Sequence, residues 1–409
     1  AYAVGAVLGA FLAFVVGLSC FALYLYTLAR FWAPSKGNPE RYLAFNDEAF
    51  GRKWRGRAIP VETMYEAYFA DKLEFKGDVL DTMRDHRREF VAFRFNLEHL
   101  KFFVTQWIPE LLAHTKSQDE SQVREHYDRG NDFNNAALGS SMVYTSGIRL
   151  KPTDTLVDMQ HNKIDLVFDK IQLQEGERLL DIGCGWGTLV NRAVSERKAE
   201  ATGVTLSTEQ VAWGTEVSNV QGHRTPTFLR MDYRDIPKQK YDKITCLEMA
   251  EHVGIKNFQT FLLQVKDLLH DDGIFFMQIA GLRRAWQFED LQWGLFMAKY
   301  VFPGADASAP LGWVVDQLEA TGWEVQQIDT IGCHYSLTLQ MWYENWCVNK
   351  EAVTAKYGLR WYRKWEFFLA WSVIISNQGS ATCYQLTLHK NLNAFNRRQF
   401  WSRPLTSRK

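Results

Sequence analysis

The stretch with the clearest chemical potential is Leu179-Leu180-Asp181-Ile182-Gly183-Cys184-Gly185-Trp186-Gly187. Its apolar first half follows the charged turn Glu175-Gly176-Glu177-Arg178, as a buried strand does. Three alternating glycines let the backbone turn sharply and let a ligand lie against bare peptide. A dinucleotide site would read G-x-G-x-x-G and hold a pyrophosphate. Here the spacing is G-x-G-x-G with an Asp two residues ahead.

The string has the form typical of S-adenosylmethionine (SAM) methyltransferases. Leu179, Asp181, Gly183, Cys184, Gly185 and Gly187 are therefore expected at the cofactor, with Asp181 meeting the methionine amino group directly or through water. Two carboxylates further on, Glu248 and Glu251, are three apart with His252 adjacent. If this segment begins a helix, both acids share a face.

Such residues need a sheet with crossover helices to bring them together. Strand-like runs at 201–206, 227–233, 241–247 and 273–281 alternate with helical runs at 207–219 and 257–270. A helix over 155–171 precedes the glycine string. The last part reads as helix (311–321), strand (323–331), long helices (337–357 and 362–376) and a terminal strand (382–389). The fold class is α/β: a class I SAM-dependent methyltransferase, a Rossmann-like doubly wound sheet with an antiparallel terminal strand. A transmembrane helix and a small helical region are expected before it.

Residues 1–29 contain no charge, enough for the roughly 20 residues that span a bilayer. Tyr24, Tyr26 and Trp32 suit an interfacial belt, and basic residues from Arg30 to Arg57 favour a cytosolic C-terminal side. Gly5, Gly9, Ala13 and Gly17 recur every four residues and form a small-residue face for a second helix, a route to a homo-oligomer. The chain begins without Met, which leaves room for an upstream partner helix. The expected organisation is an anchor over 1–32, a linker and helical membrane-proximal region over 33–120, and a methyltransferase domain over 121–391. Within that domain, 282–309 reads as an apolar lid insertion; 392–409 is a tail.

Lys plus Arg and Asp plus Glu both number 47 among 409 residues. That balance gives no electrostatic case for nucleic acid. The six cysteines are scattered with no C-x-x-C, so neither a metal site nor a disulfide framework is indicated. Aromatic residues, 14% of the chain, suit a greasy acceptor.

Five motifs carry a resemblance: His126-Tyr127-Asp128, the Asp181–Gly187 loop, Gly203-Val204-Thr205-Leu206-Ser207 with Gln210, Asp232-Tyr233-Arg234-Asp235, and Glu251-His252-Val253-Gly254. Over about residues 120–391 the chain resembles the cyclopropane-fatty-acyl-phospholipid synthase and mycolic-acid methyltransferase family. Within it, Cys246–Gly254, Gln278–Arg283 and Phe302–Ser308 are similar to the sphingolipid C9-methyltransferases. The resemblance implies membrane attachment, expected at the endoplasmic reticulum with the catalytic part in the cytosol. It implies that Tyr144 and Thr145 close over SAM, that Thr205, Leu206 and Gln210 hold the ribose and nearby atoms, and that Tyr233 and Arg234 border the adenine, with Asp232 also at the cofactor.

The implied acceptor is the sphingoid base of ceramide or glucosylceramide, methylated at C9 beside the Δ8 double bond. Methyl transfer to an alkene leaves a carbocation, and a base then removes a proton. Loss from the methylated carbon gives a branched alkene, and loss from the new methyl gives a cyclopropane. In cyclopropane synthases a bicarbonate held by Cys, Glu, His and Tyr is thought to be that base. The matching positions are Ser146, Glu251, Gln278 and Tyr335, so Glu and Tyr are kept while Cys and His are replaced. Ser and Gln still offer donors, yet the titratable His is gone, which leaves the bicarbonate open. Rival readings are phospholipid cyclopropanation, N-methylation of a small amine by the Glu-x-x-Glu-His string, and a non-catalytic lipid-binding protein.

Overall fold

The computed structural model describes residues 2–32, 36–93, 101, 104–105, 130–221, 226–285, 287–302 and 309–400. The His126-Tyr127-Asp128 motif and residues 303–308 lie outside them. The chain forms two compact units. The first combines Ala1–Ala113, Gln287–Pro303 and Lys350–Ile374; the second combines His114–Trp286, Gly304–Asn349 and Ile375–Lys409.

The second unit is built on one seven-stranded sheet. Its strands in chain order are β1 (Arg178–Ile182), β2 (Glu200–Thr205), β3 (Thr227–Arg230), β4 (Tyr241–Leu247), β5 (Leu269–Leu282), β6 (Trp323–Thr330) and β7 (Ala381–Lys390). Across the sheet the order is β3-β2-β1-β4-β5-β7-β6. The first five are mutually parallel, while β7 runs antiparallel to both β5 and β6. Connections cross on both faces, so the central strands are buried on both sides and read as nearly continuous apolar runs. In β5, Phe275, Met277 and Ile279 join the core under helices Phe258–Leu268 and Leu311–Ala320. Ile274 and Phe276 alternate into the opposite core, under Leu156–Ile171 and Thr188–Arg197.

Helix Leu156–Ile171 starts where the sequence signals it. Thr155 caps it in a reciprocal box with Asp158, which satisfies two backbone N–H groups that a helix start leaves open. The expected long helix over 337–357 is two, Gly332–Val348 and Lys350–Tyr357. Asn349 separates them, its side-chain amide donating to the carbonyls of Asn345 and Ala136. A side chain that bonds nearby backbone in this way competes with the helix. The expected end of the third strand is instead a short 3-10 turn, Tyr233–Asp235, capped by Asp232.

In the first unit, residues 39–60, expected within a linker, carry two short helices and two short strands. Helix Phe288–Tyr300, expected as part of a lid, packs within this unit rather than standing free. Arg87 Nε donates to Glu289 Oε1 at 2.8 Å with both side chains nearly buried. The Tyr65 ring meets Phe296 and Tyr300 edge-on at 5.1 and 5.5 Å.

Helix Tyr2–Trp32 is continuous, and Phe11, Leu12, Phe14, Phe21, Leu23 and Tyr24 on it are exposed. Among the described residues no helix is long and apolar enough to cross a membrane, so the expected spanning segment is not established by the fold.

Candidate active site

A cleft opens at the C-terminal ends of β1, β2 and β4, where a doubly wound sheet places its ligands. Asp181, Gly183, Cys184, Gly185, Thr205, Leu206, Gln210, Asp232, Tyr233, Arg234, Tyr144 and Thr145 all line it. Leu179 does not. It lies two residues deeper on β1, fully buried in the core, because only the last turn of the strand reaches the opening. Its expected cofactor contact is therefore corrected to a packing role.

The glycine turn is built for close approach. Gly183, Gly185 and Gly187 all have positive φ (77°, 54° and 80°), a region that L-side chains rarely adopt. A Cβ on Gly187 would stand 2.4 Å from the Phe228 ring, and one on Gly183 would stand 2.6 Å from Met249. At Gly185 a Cβ would meet nothing, so bare backbone borders the cleft there.

Asp181 is buried at the floor, and its Oδ1 accepts from Thr245 Oγ1 at 2.7 Å. Burial pushes its carboxyl up to about 6, against the opposing pull of Thr245 and Lys163. A desolvated acid of this kind gains most from a cationic partner such as an ammonium. On the neighbouring strand Thr205 Oγ1 donates to Gln210 Oε1 at 2.6 Å, so the two expected ribose contacts are held together. Asp232 accepts from the backbone and guanidinium of Arg234, whose charge lies 5.2 Å from the Tyr233 ring centre. Tyr233 in turn stacks edge-on with Phe261, giving a fixed aromatic and cationic border. These residues fit a nucleoside-bearing amino acid.

At the inner end the structure rearranges the expected catalytic set. Gln278 is fully buried on β5, and its Nε2 donates to Glu248 Oε1 at 2.6 Å. The Ser146 backbone N–H donates to the same oxygen at 2.8 Å, and Cys383 Sγ lies 3.5 Å from it. The Ser146 hydroxyl, expected to face an anion, instead donates to the Gly147 carbonyl. Glu248 and Glu251 do not share a helical face. Glu248 directly follows β4 in a left-handed conformation (φ 52°), and Glu251 sits in the 3-10 turn Ala250–His252.

Glu251 is buried, and among the described residues its Oε2 has no hydrogen-bond partner. Desolvation first, and then the Glu248 carboxylate, hold its carboxyl well above the usual range. Tyr335 packs on the Ile148, Ile331 and Cys383 cluster. Burial pushes its phenol well up, and Glu248, Cys383, Tyr144 and Glu251 add to this, so these groups form one electrostatic neighbourhood. The Tyr144 ring rests 5.2 Å from Trp342.

Lys163 belongs to the site although sequence reasoning passed over it. Its ammonium donates to Thr145 Oγ1 at 2.6 Å, and burial pushes its pKa down to about 8 despite Glu248 and Asp181 nearby. A signal existed: Met159, Gln160, Lys163, Ile164 and Val167 make one buried helical stripe, and a lysine there needs an anionic neighbour. Gln385 and Cys383 on β7 were also missed, since no local pattern ties them to residues more than a hundred positions away.

Comparison with known proteins places this arrangement. The mycolic acid cyclopropane synthetase family is matched over residues 114–386. The chain is 54% identical to sphingolipid C9-methyltransferase 2 of Gibberella zeae over 89% of this chain and 71% of that protein. It is 52% identical to the sphingolipid C9-methyltransferase of Komagataella phaffii, over 89% and 77% respectively. Among solved structures it is similar to a mycolic acid cyclopropane synthase complexed with SAH and CTAB. That match has a TM-score of 0.64 and 25% identity, over 66% of this chain and 98% of that one. A cyclopropane synthase from Mycobacterium tuberculosis aligns with a TM-score of 0.63 at the same identity and coverage. The chain belongs to the mycolic acid cyclopropane synthetase family and, within it, to the sphingolipid C9-methyltransferases.

Proposed function

We propose that this enzyme uses SAM to methylate C9 of the sphingoid base of ceramide or glucosylceramide, beside the Δ8 double bond. SAM, when bound, supplies an electrophilic sulfonium methyl group. Asp181 holds the amino group of the donor, Thr205 with Gln210 the ribose, and Tyr233 with Arg234 the adenine border. Tyr144 and Thr145, tied to Trp342 and Lys163, form the wall between donor and acceptor. Most of the rate gain for an uncharged alkene comes from holding it in line with the methyl group, which needs a rigid, dry wall.

The observation that carries this reading is the composition of the inner end. The donor cleft leads to the half-buried Glu248 and the buried Glu251, framed by Tyr144, Tyr335 and apolar packing, a setting for a transient cation followed by proton loss. Amine N-methylation would need the Glu248 and Glu251 carboxylates turned toward an amine. Glu248 lines the cleft and Glu251 does not, so the two acids are not presented as a pair.

The test is mass spectrometry of lipids after incubating full-length, detergent-solubilised protein with methyl-labelled SAM and a Δ8-unsaturated glucosylceramide. Gain of one labelled methylene unit with the C8–C9 double bond retained is expected. The same gain with the double bond lost would mean cyclopropanation, and label on phospholipid or amine alone would overturn the acceptor.

Helix Tyr2–Trp32 is proposed to lie in the membrane that carries this lipid, at the endoplasmic reticulum, with the catalytic unit on the cytosolic side. The uncharged stretch 1–29 and the exposed Phe11, Phe14 and Phe21 support that placement. A Cβ added at Gly17 would meet nothing within 4 Å, which leaves room on the same helix for a second copy. Carbonate extraction of membranes from expressing cells checks it: the full chain is expected in the pellet, and release into the supernatant would refute an embedded helix.

A further inference from the structure

The family resemblance assigns the final proton to a bicarbonate cradled at positions 146, 251, 278 and 335. The residues present do not fit that anion. Two donors that would meet it, the Ser146 backbone N–H and the Gln278 amide, already converge on Glu248 Oε1 at 2.8 and 2.6 Å. Cys383 Sγ adds a third contact at 3.5 Å, and the Ser146 hydroxyl is directed elsewhere. A carboxylate from the chain itself stands in the cradle.

The backbone is bent to bring it there. Glu248 follows Leu247, which is in register with Gln278 across the parallel β4–β5 pair, and its N–H donates to the Gln278 carbonyl at 2.7 Å. Its φ of 52° is uncommon for a residue with a side chain and costs on the order of 1–3 kcal/mol. Strain of that kind persists where surrounding contacts over-determine it, and it points toward function.

We propose that Glu248 is the general base of this enzyme, removing the C9 proton in place of a bound bicarbonate. This rests on the C9-methylation reading above. Once the methyl group is attached to C9, the C9–H bond pair becomes the C8–C9 π bond and fills the vacancy at C8. The proton passes to the carboxylate, which becomes a neutral acid and returns its proton to solvent after product leaves.

Three features suit Glu248 to the task. It lines the same cleft as the glycine turn, whereas Gln278 and Ser146 lie behind it. Among the described residues the donors fall on Oε1 alone, so Oε2 keeps its lone pairs for the proton. Burial raises the Glu248 carboxyl, but the Ser146 N–H, the Gln278 amide and Lys163 all pull toward its ionised form, whereas burial and then Glu248 itself hold the Glu251 carboxyl well above the usual range. The two acids thus divide the roles of base and neutral partner.

The test uses full-length protein and the Δ8-glucosylceramide assay in buffer stripped of carbon dioxide, with and without added bicarbonate. Wild type is expected to make the C9-methyl product at rates within about 2-fold in both. Glu248→Gln is expected to lower kcat by 10²–10⁴-fold, the usual worth of a general base. Glu248→Gly keeps the left-handed backbone and empties the cradle. It is expected to lose activity to a similar extent and to regain at least about 10-fold on adding bicarbonate. SAM affinity, read by calorimetry, is expected within about 3-fold of wild type in both variants, which separates lost chemistry from lost folding.

The proposal is overturned if Glu248→Gln keeps more than about a tenth of wild-type kcat. It is also overturned if wild type depends on added bicarbonate, if Glu248→Gly is not rescued, or if the activity loss merely tracks lost SAM binding. If wild type itself leaves the Δ8 lipid untouched, the failure belongs to the C9-methylation reading.

Discussion

Gln385 Nε2 donates to Gln278 Oε1 at 2.8 Å across the antiparallel β5–β7 pair, where the two residues stand directly opposite. That bond settles which end of the Gln278 amide faces Glu248. With Oε1 occupied, Nε2 is the end turned toward the carboxylate. Gln385 is oriented in turn by Lys170, which donates to its Oε1 at 2.9 Å and to Asp329 at 2.6 Å. A directional run of donors thus extends from the sheet edge to the active-site carboxylate.

Gln385→Leu should break that run. It leaves a buried amide oxygen and one donor of Lys170 without their partner, at a cost of about 1–3 kcal/mol. Urea denaturation of the purified protein is expected to show the loss, together with a lower kcat from a misoriented Gln278.

Asp181→Asn separates binding from stability. Burial raises this carboxyl from 3.8 to about 6, so its stabilising contribution is complete below pH 3.8 and lost as pH rises through 6. At pH 7 the Asn variant should therefore be at least as stable as wild type. Its SAM affinity should fall about 10–100-fold, the worth of a charge-assisted hydrogen bond, as read by calorimetry.

Lys163→Met tests the buried ammonium. The folded protein sheds this proton near pH 8 while the unfolded chain keeps it to about 10.5, so wild-type stability from this group rises with pH across that window. The variant should lack that rise. Since Lys163 also favours the ionised forms of Asp181 and Glu248, the acidic limb of its kcat/KM profile should move to higher pH.

Gly187→Ala should be poorly tolerated. The added methyl would stand 2.4 Å from Phe228, in a backbone region with φ 80°. Thermal unfolding is expected at lower temperature, with a loss of about 1–3 kcal/mol from strain and overpacking together, and SAM binding should weaken.

Arg87→Ala acts in the other unit. It leaves Glu289, whose side chain is only 11% exposed, without its cation. Removing one partner of a buried pair costs about 3–5 kcal/mol. Protease susceptibility within residues 39–92 and 287–302 should rise, whereas SAM affinity should hold because the cleft residues all belong to the second unit.

Much of the catalytic unit could be read without coordinates. Tyr241–Leu247 and the start of Trp323–Thr330 fall where apolar β-formers between turn residues place them. The Thr155–Asp158 box marks its helix by local chemistry alone. Shortfalls arise where partners lie far apart in the chain. Leu179 and Asp181 point to the same side of β1 and look equally suited to a ligand, yet only one of them reaches the opening. The sequence offers the hydroxyl of Ser146, while its backbone N–H makes the contact to Glu248, a distinction that side-chain types do not encode.

The sequence by itself determined the donor site and the family. A glycine turn and its Asp are contiguous, and their geometry follows from local backbone chemistry. Which carboxylate faces the reaction was decided by the tertiary structure alone. Glu248 and Glu251 are three residues apart and chemically identical, and a helical spacing would have paired them. The register of β4 on β5 brings Gln278 beside Glu248, the loop before Leu156–Ile171 brings Ser146, and β7 brings Cys383. Desolvation depends on what every other element covers, and hydrogen bonds depend on distances of a few tenths of an ångström. Both are properties of the packed whole, and they separate two glutamates that the chain presents as equals.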